Sequence, residues 1–533
     1  MKRRQFLRNT VPATVLPILL NGFAVKAFGE SAFLNSLLKS NDIGDDNVLV
    51  LVQLFGGNDG LNTVIPLDVY SRYYNARPNI AIAENRVLKL DGTLKTGLHP
   101  SLSGLRDLYN NGQLAILQSV GYPTPDYSHF RASDIWESGA DSTQTLSSGW
   151  VGRYLNYKYP NYPAGYPNTT DTDPLAVQIG AGSSFALQGP LTSMAVNIED
   201  PSNVYNLTNG FTDTLPSTHA GNELGYIRTV AQQTQAYSQV VSNASNTVTQ
   251  QAGYPADNYL AQQLKIVARL IKGGLKTKIY MVSTDGFDTH ANQVNTGNTT
   301  TGTHAELLKT VGDSIKAFQN DLQFLGIQDR VMGMTFSEFG RRIKSNSSSG
   351  TDHGAAAPLF VFGSKVQSGI LGDSPDIPET VTDEDNIPMQ MDYRSIYSSL
   401  LQDWLCVPPQ DLKNILLRNY QDMPLVQQHA CMQCDTNSNR PLNAGGGGIS
   451  LISNYPNPFT SSTTITYKTN GRNTLVQVMD TSGKVIKTLV DKVMPEGTYT
   501  VNFSNENYLP GTYYVRLQNM EVSQVKMMVI VKG

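Results

Sequence analysis

Cysteine is scarce in this chain: there are 3 in 533 residues, at 406, 431 and 434, too few to staple a protein of this length, so stability must come from packing. Charge is also sparse, at 16% Asp, Glu, Lys and Arg, where about 25% is typical. The 40 basic residues do not exceed the 44 acidic ones, which leaves −4 and no electrostatic footprint for nucleic acid. No stretch approaches 18 uninterrupted apolar residues, so no segment reads as a membrane span and the mature protein is expected to be soluble. Global disorder is excluded as well, because 40% of the residues are apolar and Phe, Tyr and Trp are all present. At roughly 150 residues per domain the length allows one large core and an appendage.

The amino terminus reads Met1-Lys2-Arg3-Arg4-Gln5-Phe6-Leu7-Arg8, followed by a mildly apolar run from Val11 to Ala27 that Pro12, Pro17, Asn21 and Gly22 interrupt. This resembles a twin-arginine export signal over residues 1–27, with small residues at Val25 and Ala27 for cleavage. The resemblance implies folding before export and engagement of the twin-arginine machinery. A basic amphipathic helix is the other reading.

The run from Asn47 to Val52 is continuous β-branched and leucine sequence ending in glycines, as expected of a strand buried on both faces. Leu114 to Val120, Lys278 to Ser283 and Val331 to Phe336 share that character. Between them, Leu260, Leu264, Val267 and Ile271 fall on one helical face, as do Leu308, Val311, Ile315, Phe318 and Leu322. Strands alternating with long helices predict an α/β domain over 46–428, a largely parallel sheet covered by helices on both faces. Residues 139 to 253 are rich in Asn, Thr, Ser, Gly and Pro with little periodicity, and are expected to form surface excursions over the sheet. A Gly-rich linker is expected at 435–450, and a small β-sandwich of period-two strands at 451–533.

Ligand sites of open parallel sheets lie at the carboxyl ends of the strands. The loops expected there contain Asp59; Asp285, Asp288 and His290; Glu338 and Arg341; and then Asp352 and His353. Carboxylates and imidazoles from separate loops can surround a divalent cation that offsets their mutual repulsion, or can act as an acid/base pair. Each also has a plainer reading: Asn58-Asp59-Gly60 as a turn, Asp288 as a helix cap, Asp352-His353 as a hydrogen-bonded loop pair. Arg341 and Arg342 could clamp an anionic ester, and Arg341 could equally pair with Glu338. Cys406-Val407-Pro408-Pro409-Gln410 imitates the start of a sulfatase signature but lacks its arginine. His429, Cys431, Cys434 and Cys406 could make a zinc site, but in an exported protein a disulfide is the stronger expectation.

Two resemblances bring these features together. Asn454-Tyr455-Pro456-Asn457-Pro458-Phe459, Thr463-Thr464-Ile465, Asp480-Thr481-Ser482-Gly483-Lys484-Val485, Gly511-Thr512-Tyr513-Tyr514 and the closing Lys526 to Lys532 segment resemble the type A C-terminal sorting domain of type IX secretion. That implies the type IX machinery as partner, with passage through the periplasm to a secreted or outer-surface location. An adhesive β-sandwich is the alternative for the tail. Residues Leu54 to Thr63, Leu98-His99-Pro100, Ser128-His129-Phe130, Asp285 to His290, Phe336 to Arg341, Thr351 to Gly354 and Asp392 to Tyr397 resemble the bacterial family known as domain of unknown function 1501. This family is grouped by fold with alkaline phosphatases, sulfatases and phosphopentomutases, enzymes that use two metal ions on phosphate or sulfate esters. The resemblance implies an alkaline-phosphatase-like fold, divalent metal ions (zinc, magnesium, manganese or calcium) and a small anionic ester as substrate. Asp59, Asp352 and His353 would match one metal site, and Asp285 or Asp288 with His290 a second. The Ser, Thr or modified Cys nucleophile that the resemblance implies beside a metal would be Ser128 or Thr63. The further histidine expected downstream is matched only by His429, so His129 or His99 would have to replace it. Two functions follow as expectations: an exported metal-dependent phosphoester or sulfoester hydrolase, or a non-catalytic surface binding or scaffold protein on the same fold.

Overall fold

Strand β1 (Val48–Leu54) carries apolar side chains on both faces, and the computed structural model shows why: Leu49 and Leu51 enter one core while Val48, Val50, Val52 and Leu54 enter another. Alternate residues of a strand point to opposite faces, so a run without polar alternation must be covered twice. Residues 46–180, 182–198 and 237–427 are described, with short strands at 16–20 and 23–27 and tail residues 450–457, 459–469, 473–480, 485–505, 508–518 and 523–531. The chain divides into two units, Met1–Cys434 and Asp435–Gly533.

In the first unit β1 pairs in parallel with β5 (Ile279–Thr284) and β6 (Val331–Phe336). The order across the sheet is β8 (Gly369–Leu371), β2 (Leu114–Gly121), β7 (Ala357–Phe362), β6, β1, β5, β3 (Ala176–Ile179) and β4 (Ala195–Ile198). Strand β9 (Met391–Asp392) also pairs with β2. Strand β7 is antiparallel to both of its neighbours, and every other pairing is parallel.

Helices α1 (Ser103–Asn110), α4 (Tyr259–Lys272) and α5 (Thr303–Phe324) bury Leu105, Leu264, Val267, Val311 and Ile315 against one face. The other face is covered by α3 (Trp150–Lys158) and α6 (Tyr393–Ser399), where Trp150 stacks on Tyr397 at 4.2 Å. Each large side chain sealed in this way contributes roughly 1.5–3 kcal/mol. The expected α/β class, sheet and paired helices are therefore present.

The 139–253 segment differs from expectation, because it supplies α3 and two strands of the sheet, β3 and β4. Four-residue strands are too short to display a period. The tail unit has two antiparallel sheets, ordered β10 (Ser450–Tyr455), β11 (Ser462–Thr469), β14 (Gly497–Ser504) and β13 (Val485–Val493), β12 (Asn473–Met479), β15 (Gly511–Gln518), β16 (Ser523–Ile530). Ile465, Tyr467 and Phe503 of one sheet share a core with Val476, Val478, Val515 and Leu517 of the other.

Leu16–Leu20 and Phe23–Ala27 pair antiparallel; the remainder of the expected export signal, most of the linker, and His429, Cys431 and Cys434 lie outside the described residues. Cys406 is disulfide-bonded, so it is no thiolate ligand for zinc. Among the described residues no helix is long and apolar enough to cross a membrane.

Candidate metal centre

The loops that follow β1, β5 and β6 leave the sheet at one rim, and the hairpin entering antiparallel β7 returns to it. Close backbone approach holds them together. A Cβ on Gly56, whose φ is +122°, would lie 2.3 Å from the Asp288 backbone nitrogen, so only glycine lets the first loop touch the second. Helix α2 (His129–Ser138) begins at the same place, with Ser128 at its N-cap and His129 as its first residue.

Three imidazoles are oriented there by the same device. His353 Nδ1 lies 2.8 Å from the Tyr127 carbonyl, His290 Nδ1 2.9 Å from Asp352 Oδ1, and His129 Nδ1 2.8 Å from Glu338 Oε1. A carbonyl or carboxylate accepts, so each Nδ1 holds the ring proton and each Nε2 is left with a lone pair. Those lone pairs converge. The Nε2 atoms of His290 and His353 face each other at 2.8 Å, and Asp288 Oδ1 lies 3.3 and 3.2 Å from them. His129 Nε2 is buried without a hydrogen-bond partner, 3.5 Å from Asp288 Oδ2. Ligand atoms of His129, Asp288 and His353 lie within 4.8 Å of one another.

Acceptors crowded this closely repel unless a cation or a proton lies among them. Protonation of His353 is disfavoured: burial first, then the charges of Arg341 and His129, pull it below the ordinary imidazole value despite its bonds to Tyr127 and Asp288. Burial would raise Asp288, but the Arg341 hydrogen bond and charge, the His353 bond and the His290 charge outweigh it and bring the carboxyl to about 2. Asp352 is likewise lowered, its burial outweighed by bonds from His290 and Asn346. Three bare imidazole nitrogens and an ionised carboxylate, each imidazole fixed by an outer partner, form a donor set that fits a divalent transition metal.

The expected site residues divide into those at the cluster, those supporting it and those elsewhere. Asp288, His290 and His353 point into it. Asp352 and Glu338 stand behind His290 and His129; Glu338, 1% exposed, also accepts from the Gly56 N–H at 2.8 Å. Arg341 is buried, donating to Gly57 O, Thr351 O, Phe287 O, Gly56 O and Asp288 Oδ1. It therefore neither pairs with Glu338 nor reaches out to an ester, because its donors tie the loops together. Asp285 is exposed and stands outside the group of converging atoms.

Asp59 is engaged elsewhere: both oxygens contact Arg77 Nη1 at 2.7 and 2.8 Å, and Oδ2 accepts from Gln293 at 2.6 Å. Burial raises its pKa, but Arg77, His304 and these hydrogen bonds more than reverse that. Thr63 is sealed in the core, donating to Asp59 O and Asn58 Oδ1, whereas Ser128 is exposed beside His129. His99 packs edge-on against His304, and its Nδ1 accepts from the Ser101 N–H. Of these two histidines, His129 lies at the cluster and His99 does not. The sequence signal for it was weak, since His129 sits eight residues past its strand at a helix start. Arg77 and Gln293 carry no local signal at all.

The chain belongs to the family described as "Protein of unknown function (DUF1501)", whose model matches residues 47–403. Residues 453–532 match the "Secretion system C-terminal sorting domain", which marks the protein for export to a secreted or cell-surface location. No curated protein sequence matches this one. Solved structures similar to it include the lipoteichoic acid synthase LtaP from Listeria monocytogenes, at 11% identity and TM-score 0.30, covering 71% of this chain and 78% of that one. The PsFucS1 sulfatase from Pseudoalteromonas sp. matches at 9% and 0.33, covering 89% and 88%. Alkaline phosphatase from the Antarctic bacterium TAB5 matches at 10% and 0.26, covering 61% and 94%. Likenesses at these scores carry no weight for mechanism.

Proposed function

We propose that this protein is an exported metal-dependent hydrolase acting on a phosphate or sulfate ester. The observation that carries the reading is the convergence of His129, His290 and His353 Nε2 with the Asp288 carboxylate, each imidazole locked in the tautomer that bares Nε2. These residues would hold the ion, and their nitrogen-rich character favours zinc over manganese, magnesium or calcium. A divalent ion there supplies Lewis acidity for an ester oxygen and for water. Glu338, Asp352 and the Tyr127 carbonyl keep the rings aimed, and Arg341 keeps Asp288 ionised. Of the two candidate hydroxyls, Ser128 is open to a substrate and Thr63 is not.

A non-catalytic surface protein that holds metal is the second reading. The cation beside the centre favours it, since Arg342 donates to the His353 and Glu384 carbonyls and pairs with the Glu384 carboxylate rather than facing the cluster as an anion seat. Zinc- and manganese-loaded protein should hydrolyse an aryl sulfate, an aryl phosphodiester or an aryl phosphate monoester, and Asp288→Ala should abolish both turnover and tight metal binding. Protein that retains its ion yet is silent on all three esters would sink the hydrolase and leave the binding reading.

A further inference from the structure

The two-ion pattern that the family resemblance implies needs Asp59 as a ligand, and the fold has already given that carboxylate a cation. We infer that the centre takes one divalent ion, and that the buried Arg77 guanidinium stands permanently at Asp59 where a second ion would have to bind. This rests on the metal-centre reading above. Side-chain exposure is 0% for Arg77 and 1% for Asp59, so the pair is closed to solvent. The guanidinium cannot swing aside: Nε donates to Ile343 O at 2.9 Å and Nη2 to Arg342 O at 2.6 Å, from the loop after β6. Gln293 takes up more of the carboxylate, and its Oε1 accepts from Thr289 and Thr351, which adjoin His290 and Asp352.

The remaining groups in this layer offer no substitute ligand set. His304 Nε2 faces Asn58 Oδ1 at 3.1 Å and so bears a proton. His99, whose Nδ1 accepts a hydrogen bond, carries its proton on Nε2. Asp352 is bound to His290, and Asp285 is exposed away from the cluster. A buried carboxylate needs one compensating cation. A divalent ion pressed against Arg77 in a low-dielectric interior would meet repulsion instead. Arg77 thus does for Asp59 electrostatically what a second metal would do, without being exchangeable.

The test is the number of ions held per full-length chain after zinc loading and dialysis against a weak chelator, read by elemental analysis. Wild-type protein should retain one. Asp59→Asn should also retain one, while His353→Ala should retain none. Two ions in the wild type, falling to one in Asp59→Asn, would overturn the inference yet leave the hydrolase reading standing. One ion without ester hydrolysis would do the reverse, and no ion would remove both. The wild-type count decides the matter even if Asp59→Asn does not fold.

Discussion

His290 illustrates how an exposed carboxylate can matter without pointing into the cluster. Asp352 has a side chain 57% exposed and accepts the His290 Nδ1 proton at 2.9 Å, which fixes the tautomer and the ring plane. Removing such an outer partner typically lowers metal affinity about 10–100-fold. Asp352→Ala should therefore weaken zinc binding by about that factor in a chelator competition. Unchanged affinity would show that His290 is not a ligand. The acids and imidazoles themselves were legible, because Asp288 and His290 sit in the loop directly after a strand that announces itself, and Asp352 and His353 adjoin each other in the segment between β6 and β7. Their division into ligands and supports was not, since Asp288 and Asp352 look alike in a sequence and differ only in what stands opposite.

The elements succeed or fail as carriers of the site through loop contacts. Gly350 lets the hairpin before β7 lie on the loop after β5, where an added Cβ would fall 2.3 Å from the His290 carbonyl oxygen. Gly350→Ala should cost about 1–3 kcal/mol as an overpacked contact and displace His290 from His353. Urea unfolding and zinc affinity should both suffer, whereas Gly253→Ala, with nothing within 4 Å of its Cβ, should change neither. Equal behaviour of the two variants would refute this account of the loop junction. The central strands were readable because burial on both faces demands unbroken apolar sequence, as in β1 and the fully buried β2. The strands β3 and β4 were unreadable: each has four residues, and β4 shows no alternation, with Ile198 its one buried residue.

Folding stability of the α/β unit should depend on pH through its two enclosed imidazoles. Burial leads the causes that hold His304 at about 4 and His99 at about 3, against an ordinary value of 6.5. The folded state therefore refuses protons that the unfolded chain accepts, so stability is complete above about pH 6.5 and declines as pH falls towards 4. Each withheld proton contributes a slope of roughly 1.4 kcal/mol per pH unit. All 3 tryptophans, at 136, 150 and 404, lie in this unit, so their fluorescence follows its unfolding without interference from the tail. Metal-free protein should be several kcal/mol less stable to urea at pH 5 than at pH 7, by about 2–4 kcal/mol for the pair, and His304→Gln should flatten the slope. A curve indifferent to pH across this range would contradict the burial of these rings.

Local pattern was enough to establish the covered parallel sheet, the β-rich tail with its secretion address and the rim at which acids and histidines gather. Those properties depend on residues close together in the chain, or on burial that every residue of a strand must satisfy. Long-range contact settled the rest. Arg77 neutralises Asp59 across 18 residues, and Glu338 aims His129 across 209. A carboxylate becomes a metal ligand or half of an ion pair according to the nearest cation, and an imidazole exposes one nitrogen or the other according to its partner. Neither is a property of the residue alone.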